Sequence, residues 1–112
     1  MTTTGTICEE DLIHAITSFF CKNGYRVRHE VPNMGQSIDV AATKNRWITA
    51  VEAKLHDWRR GLQQCKAHEL VADYICIAVA TRSIPDQLRD QALLKGYGII
   101  RWDNRRSICQ WV

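Results

Sequence analysis

The residues Tyr74–Ala80 read Tyr-Ile-Cys-Ile-Ala-Val-Ala, seven positions without a charge and with β-branched side chains at Ile75, Ile77 and Val79. A strand of that composition has no polar face to turn toward water, so it belongs inside a sheet covered on both sides. The rest of the chain has to supply neighbouring strands and the covering helices. Near the N-terminus, Leu12, Ile13, Ala15, Ile16, Phe19 and Phe20 recur with the period of an amphipathic helix. Thr6 and Glu9 have the spacing of a capping box at its start, and Asn23-Gly24 is a stop. A second helix is expected over 57–72, with Asp57 as cap and Trp58, Leu62, Cys65 and Ala72 on its apolar side. Gly61 inside it implies close packing or the close approach of a ligand. Ser83-Ile84-Pro85-Asp86 opens a third helix with Pro85 in its first turn, running through Leu88, Ala92 and Leu93 to Gly96.

Strands fill the intervals. Residues 25–31 alternate, with Tyr25, Val27 and Val31 on one face and Arg26, Arg28 and Glu30 on the other. After a turn at 32–35 comes a strand over 37–43, a short polar turn at 44–45, and a strand over 46–54 that pairs back as a hairpin. Residues 98–102 form a further strand, and 107–112 an edge strand. The expected order is αβββαβ followed by αβ and one more strand, in one domain spanning 1–112. Strand–helix–strand units favour parallel crossovers while the hairpin is antiparallel, so the sheet should be mixed, with helices on both faces.

A hydrophobic fraction of 46% supports a real core, and no apolar run approaches the roughly 20 residues of a membrane helix. Residues 1–4 lack the charged head and apolar stretch of a signal peptide, which makes a cytoplasmic location the expectation. Five cysteines, an odd number without paired spacing, suit a reducing compartment. Cys65 and His68 with Cys8 and Cys21 could be assembled into a zinc site, yet no second close ligand pair accompanies them. A net charge of +3 is compatible with nucleic acid without requiring it.

Three charges interrupt otherwise apolar strands. Asp39 stands in Ile38-Asp39-Val40-Ala41-Ala42, and Glu52 and Lys54 in Ala50-Val51-Glu52-Ala53-Lys54. Ile38 and Val40 should share a face, leaving Asp39 on the other. The two-residue spacing puts Glu52 and Lys54 on one face, and a turn at 44–45 brings Asp39 level with Glu52 to within a residue or so. On an exposed strand Glu-x-Lys is a solvated pair worth under about 1 kcal/mol. In core strands three charges are costly unless grouped at a site. Two hard carboxylates can hold Mg²⁺, which keeps several waters and accepts phosphate oxygens. A lysine beside them can orient the attacking water or stabilise charge developing on the phosphate. Phosphodiester hydrolysis is the chemistry that uses this set.

Asp39 followed by Glu52-Ala53-Lys54 on the next strand, in an αβββαβ order, resembles the PD-(D/E)XK, or restriction-endonuclease-like, nuclease superfamily over roughly residues 9–80. Gly35-Gln36-Ser37-Ile38-Asp39 is also similar to archaeal Holliday-junction resolvases, although Ile38 stands where a proline often precedes the aspartate. The resemblance implies an α/β fold with a mixed sheet flanked by helices, extended here by a C-terminal αβ unit. It implies that Asp39 and Glu52 ligate Mg²⁺, with Mn²⁺ as a substitute, and that Lys54 serves the attacking water. Glu9, three residues before Leu12 and Ile13, matches the first-helix glutamate of several branches as a further catalytic and metal-binding position; its alternative is the capping box with Thr6. Gln64 matches a glutamine that some branches carry in the next helix, whereas Gln63 should face outward.

The expected function is therefore a metal-dependent endonuclease acting on duplex or branched DNA without a membrane, as a homodimer or within a larger assembly. A catalytically silent nuclease-fold module that binds nucleic acid or a partner protein is the alternative. A small oligomeric structural protein with the charged trio as an internal salt bridge is a third. His14, His29, His56 and His68 fall on different elements, and no serine or cysteine stands in a nucleophile motif. His56 would lie near the trio, and Arg59 and Arg60 could reach phosphate.

Overall fold

The computed structural model describes residues 6–112, so the N-terminal stretch read above as carrying no signal peptide lies outside the described residues. The elements run α1 (Glu9–Lys22), β1 (Arg26–Asn33), β2 (Gln36–Lys44), β3 (Trp47–Lys54), α2 (Trp58–Lys66), β4 (Tyr74–Ala80), α3 (Asp86–Lys95), β5 (Gly98–Asp103) and β6 (Ile108–Trp111). The six strands form one mixed sheet in the order β1-β2-β3-β4-β5-β6. The β3–β4 and β4–β5 pairs are parallel and the others antiparallel. Each parallel pair is bridged by a helix, as crossover geometry demands.

Both faces of the sheet are covered. Leu12, Ile16 and Phe20 of α1 pack on Val40, Ala42, Val51, Ala53, Cys76, Ala78, Ile100 and Trp102. On the other face Leu62 and Cys65 of α2 and Leu88 and Ala92 of α3 pack on Ile75, Ile77, Val79 and Ile99. Residues 75–79 are buried on both faces, as an uninterrupted apolar strand must be. No helix is long and apolar enough to cross a membrane among the described residues.

Four local expectations are corrected. The start of α1 is not boxed by Thr6 and Glu9: Asp11 Oδ2 accepts from the Cys8 backbone N–H at 2.9 Å and from its thiol at 3.4 Å. Glu9 is thereby left in the exposed first turn, where its charge suits the helix dipole. The first hairpin turn falls at Met34-Gly35, inside the expected 32–35, and the second at Asn45-Arg46, one residue later than expected. All four turn residues have positive φ, the geometry whose twist matches that of paired strands. The alternation of β1 breaks at Glu30 (φ 53°), so Val27 faces the α1 cluster while Val31 packs on the opposite side with Ile38, Ala41 and Ala50. Ile38 and Val40 thus fall in different clusters instead of sharing a face.

The fourth concerns α2, which ends at Lys66 and not at Ala72. Asn33, arriving from β1, donates its side-chain amide to the Ala67 carbonyl at 2.9 Å, satisfying one of the acceptors a helix end leaves open. Beyond it the chain tightens into turns, with His68 N–H bonded to Cys65 O and Ala72 N–H to His68 O. That change of direction carries His68 into the interior, where it is fully buried.

Candidate active site

The sheet forks between β2 and β3. Their ladder runs from Lys44↔Trp47 to Val40↔Val51 and stops, whereas β2 stays paired with β1 down to Gln36 and β3 stays paired with β4 up to Lys54. Continuing the register by one residue would set Asp39 against Glu52, so the fork opens at the two carboxylates. A strand that loses its neighbour leaves backbone donors to be satisfied. Here the Ala53 N–H is donated to Asp39 Oδ2 at 2.9 Å, a side chain replacing the missing strand. The break in alternation at Glu30, opposite Asp39 in β1, accompanies that arrangement.

Glu52 is 2% exposed, a carboxyl in the body of the sheet. Burial pushes its pKa up to about 9. Burial is the largest part of that rise; the neighbouring Asp39 carboxylate adds to it, the Lys54 ammonium pulls the other way, and Glu9 contributes the least. Glu52 thus feels the charges of Asp39 and Lys54 and, least of the three, that of Glu9 in the exposed first turn of α1. Burial and a like charge nearby both disfavour the ionised form of Glu52.

Lys54 follows on the α2 face of β3, level with Val79. Gly61 explains its position: a Cβ there would lie 2.8 Å from both Lys54 Cγ and Ile77 Cδ1, so α2 can rest on the lysine stem only because residue 61 has no side chain. Of the two readings offered for this glycine, close packing is the one realised. Gln64, three residues on, is half-buried, and its Oε1 is sealed from solvent without a hydrogen-bond partner among the described residues. Gln63 is exposed. His56 is exposed in the bend after β3, and Arg59 lies over the Trp58 ring at 4.2 Å and bonds Gln87.

His68 is the residue that sequence reasoning set aside. Its Nε2 lies 2.6 Å from Glu52 Oε1 and its Nδ1 2.9 Å from Asn33 Nδ2. Burial lowers its pKa, partly offset by the Asp39 charge. No spacing rule pointed to it: in a helix continuing to Ala72 the histidine is one more polar residue, and Asn33 sits 35 positions away. Cys65, next to this group, is buried and donates to Cys76 O; burial and the nearby Glu52 and Asp39 charges raise its thiol pKa, which makes it a packing residue. Cys8 and Cys21 are exposed near opposite ends of α1.

Among the described residues no three His, Cys, Asp or Glu side chains form a ready-made cage for a metal. The chemistry at the fork is that of a carboxyl pair and a lysine. A cavity of about 780 Å³ opens elsewhere, at the hairpin end of the sheet between Trp47, Tyr74, Tyr97 and Trp111, and none of the candidate site residues lines it.

No protein-family model and no curated protein matches the sequence. Solved structures do match. A protein of the XisH family from Nostoc punctiforme superposes with a TM-score of 0.68 at 14% identity, covering 90% of this chain and 98% of that one. An fdxN element excision controlling factor protein from Anabaena variabilis gives 0.65 at 18% identity, covering 91% and 98%. A repair endonuclease from Pyrococcus abyssi gives 0.57 at 14% identity, covering 87% of this chain and 48% of that one. At such identities the likeness is one of architecture, and the architecture is the restriction-endonuclease-like mixed α/β fold, a six-stranded sheet flanked by helices.

Proposed function

We propose that this chain is a metal-dependent endonuclease of the PD-(D/E)XK type that hydrolyses phosphodiester bonds of DNA, duplex or branched. The observation that carries the reading is the fork in the sheet, where Asp39 and Glu52 come together beside Lys54 although burial makes such a grouping costly. The donor set suits Mg²⁺: hard oxygens only, one or two carboxylates, and room in the coordination for waters and substrate phosphate. Burial and the Asp39 charge raise the Glu52 pKa to about 9, and a divalent cation bound between the two carboxylates would offset both.

A Mg²⁺ held there supplies Lewis acidity and lowers the pKa of water to make it a nucleophile. The chain's own residues do the rest. Asp39 and Glu52 bind the ion, and Asp39 is held in place by its bond from Ala53 N–H. Lys54, its stem clamped under Gly61, presents its ammonium to the attacking water and to the oxygens of the phosphate. Glu9 is proposed to join through the water shell, and Gln64, whose buried Oε1 has no partner among the described residues, would accept from a water or ligand once its side chain turns toward the site. The fold likeness to a repair endonuclease supports the same reading. A chain of 112 residues offers limited surface to DNA, which makes a homodimer or larger assembly the expected working unit.

The test is a cleavage assay on labelled single-stranded, duplex, flap and four-way-junction DNA with Mg²⁺ or Mn²⁺. The wild type should cut at least one of these forms, and Asp39→Ala, Glu52→Ala and Lys54→Ala should each abolish cleavage with the circular-dichroism spectrum retained. Failure of the wild type on every form with both ions would favour the silent binding module.

A further inference from the structure

The hydrogen bonds around His68 fix which of its nitrogens carries the proton. The Ala67 carbonyl oxygen can only accept, so the Asn33 side-chain nitrogen 2.9 Å from it is the amide NH₂. That same nitrogen lies 2.9 Å from His68 Nδ1. An amide NH₂ cannot accept, so Nδ1 must be the lone-pair nitrogen, and the proton of the neutral ring sits on Nε2. Nε2–H then donates to Glu52 Oε1 at 2.6 Å. Asn33, His68 and Glu52 are all buried, so water does not compete for any of these bonds. The chain of constraint runs from a helix-end carbonyl, through an amide and an imidazole, to one oxygen of the carboxyl at the fork.

We infer that Asn33 and His68 form a positioning relay that ties down Glu52 Oε1 and leaves Oε2 as the oxygen offered to a divalent cation. The inference rests on reading Asp39 and Glu52 as cation ligands. Hydrogen bonds from outside the ligand set fix the orientation of a ligating carboxylate, and removing such a partner weakens metal affinity by about 10- to 100-fold. His68 does not touch the ion or the substrate in this arrangement, and Asn33 acts one step further back.

Two measurements on the full chain decide the matter. In the metal-free wild type, ¹⁵N spectroscopy of the imidazole nitrogens should show His68 protonated at Nε2 with Nδ1 accepting; a ring protonated at Nδ1 overturns the relay, whatever the ion does. Mn²⁺ titrations should then show affinity about 10- to 100-fold weaker in His68→Leu, with most of it restored in His68→Gln, whose amide can donate to Glu52. If His68→Leu binds Mn²⁺ as the wild type does, the relay is wrong and the nuclease reading stands. If the wild type binds no divalent ion, the metal-binding reading and the relay fall together.

Discussion

Glu52 carries the sharpest consequence among the single residues. In the fold its carboxyl stays protonated up to about pH 9, against an ordinary value of 4.5. A raised acid pKa favours the fold most below the ordinary value, and that contribution is lost as the pH climbs toward the folded one, since the unfolded chain gives up its proton first. The metal-free protein should therefore lose stability from pH 4.5 to pH 9, and Glu52→Gln, which keeps the neutral shape, should flatten that decline in thermal-unfolding midpoints. A wild type whose midpoint rises over this interval would show that Glu52 is ionised in the fold. Glu52 was legible in the sequence, as were Asp39 and Lys54, because a charge inside an apolar strand is conspicuous. Asn33 and His68 were not. Their place beside Glu52 depends on a contact 35 residues long in sequence and on a helix end that periodicity does not mark.

At the level of elements, the site exists because two strands separate and one helix comes unusually close. The order of elements along the chain, the β2–β3 hairpin and the starts of the helices could be read from alternation, periodicity and capping residues, and they put Asp39 on a strand beside that of Glu52 and Lys54. The break at Glu30 could not be read this way, since a positive φ at a glutamate has no sequence signature. The end of α2 at Lys66 was hidden for a related reason: a side chain from β1 stops it. Gly61 offers the direct test of the close helix. Alanine there gains about 1 kcal/mol in helix propensity, but its Cβ would press on Lys54 Cγ and Ile77 Cδ1 at 2.8 Å. Overpacking costs about 1 to 3 kcal/mol and should win. Gly61→Ala is expected to lower the urea midpoint modestly and cleavage far more, because the relief of the clash displaces Lys54. A stabilised variant with wild-type cleavage would contradict this account of the contact.

Over the whole molecule, a nearly charge-free central strand dictated a sheet covered on both faces, and the solved structures of similar fold share that architecture at 14 to 18% identity. The proposed activity turns on whether a divalent cation can take the place of the proton held at Glu52. Isothermal titration of the purified wild type with Mn²⁺, repeated at neutral pH in two buffers of different ionisation enthalpy, measures that exchange. Binding of an ion with release of a proton to the buffer, lost in Asp39→Asn, is the expected result. No binding, or binding that releases no proton and ignores Asp39, would contradict it.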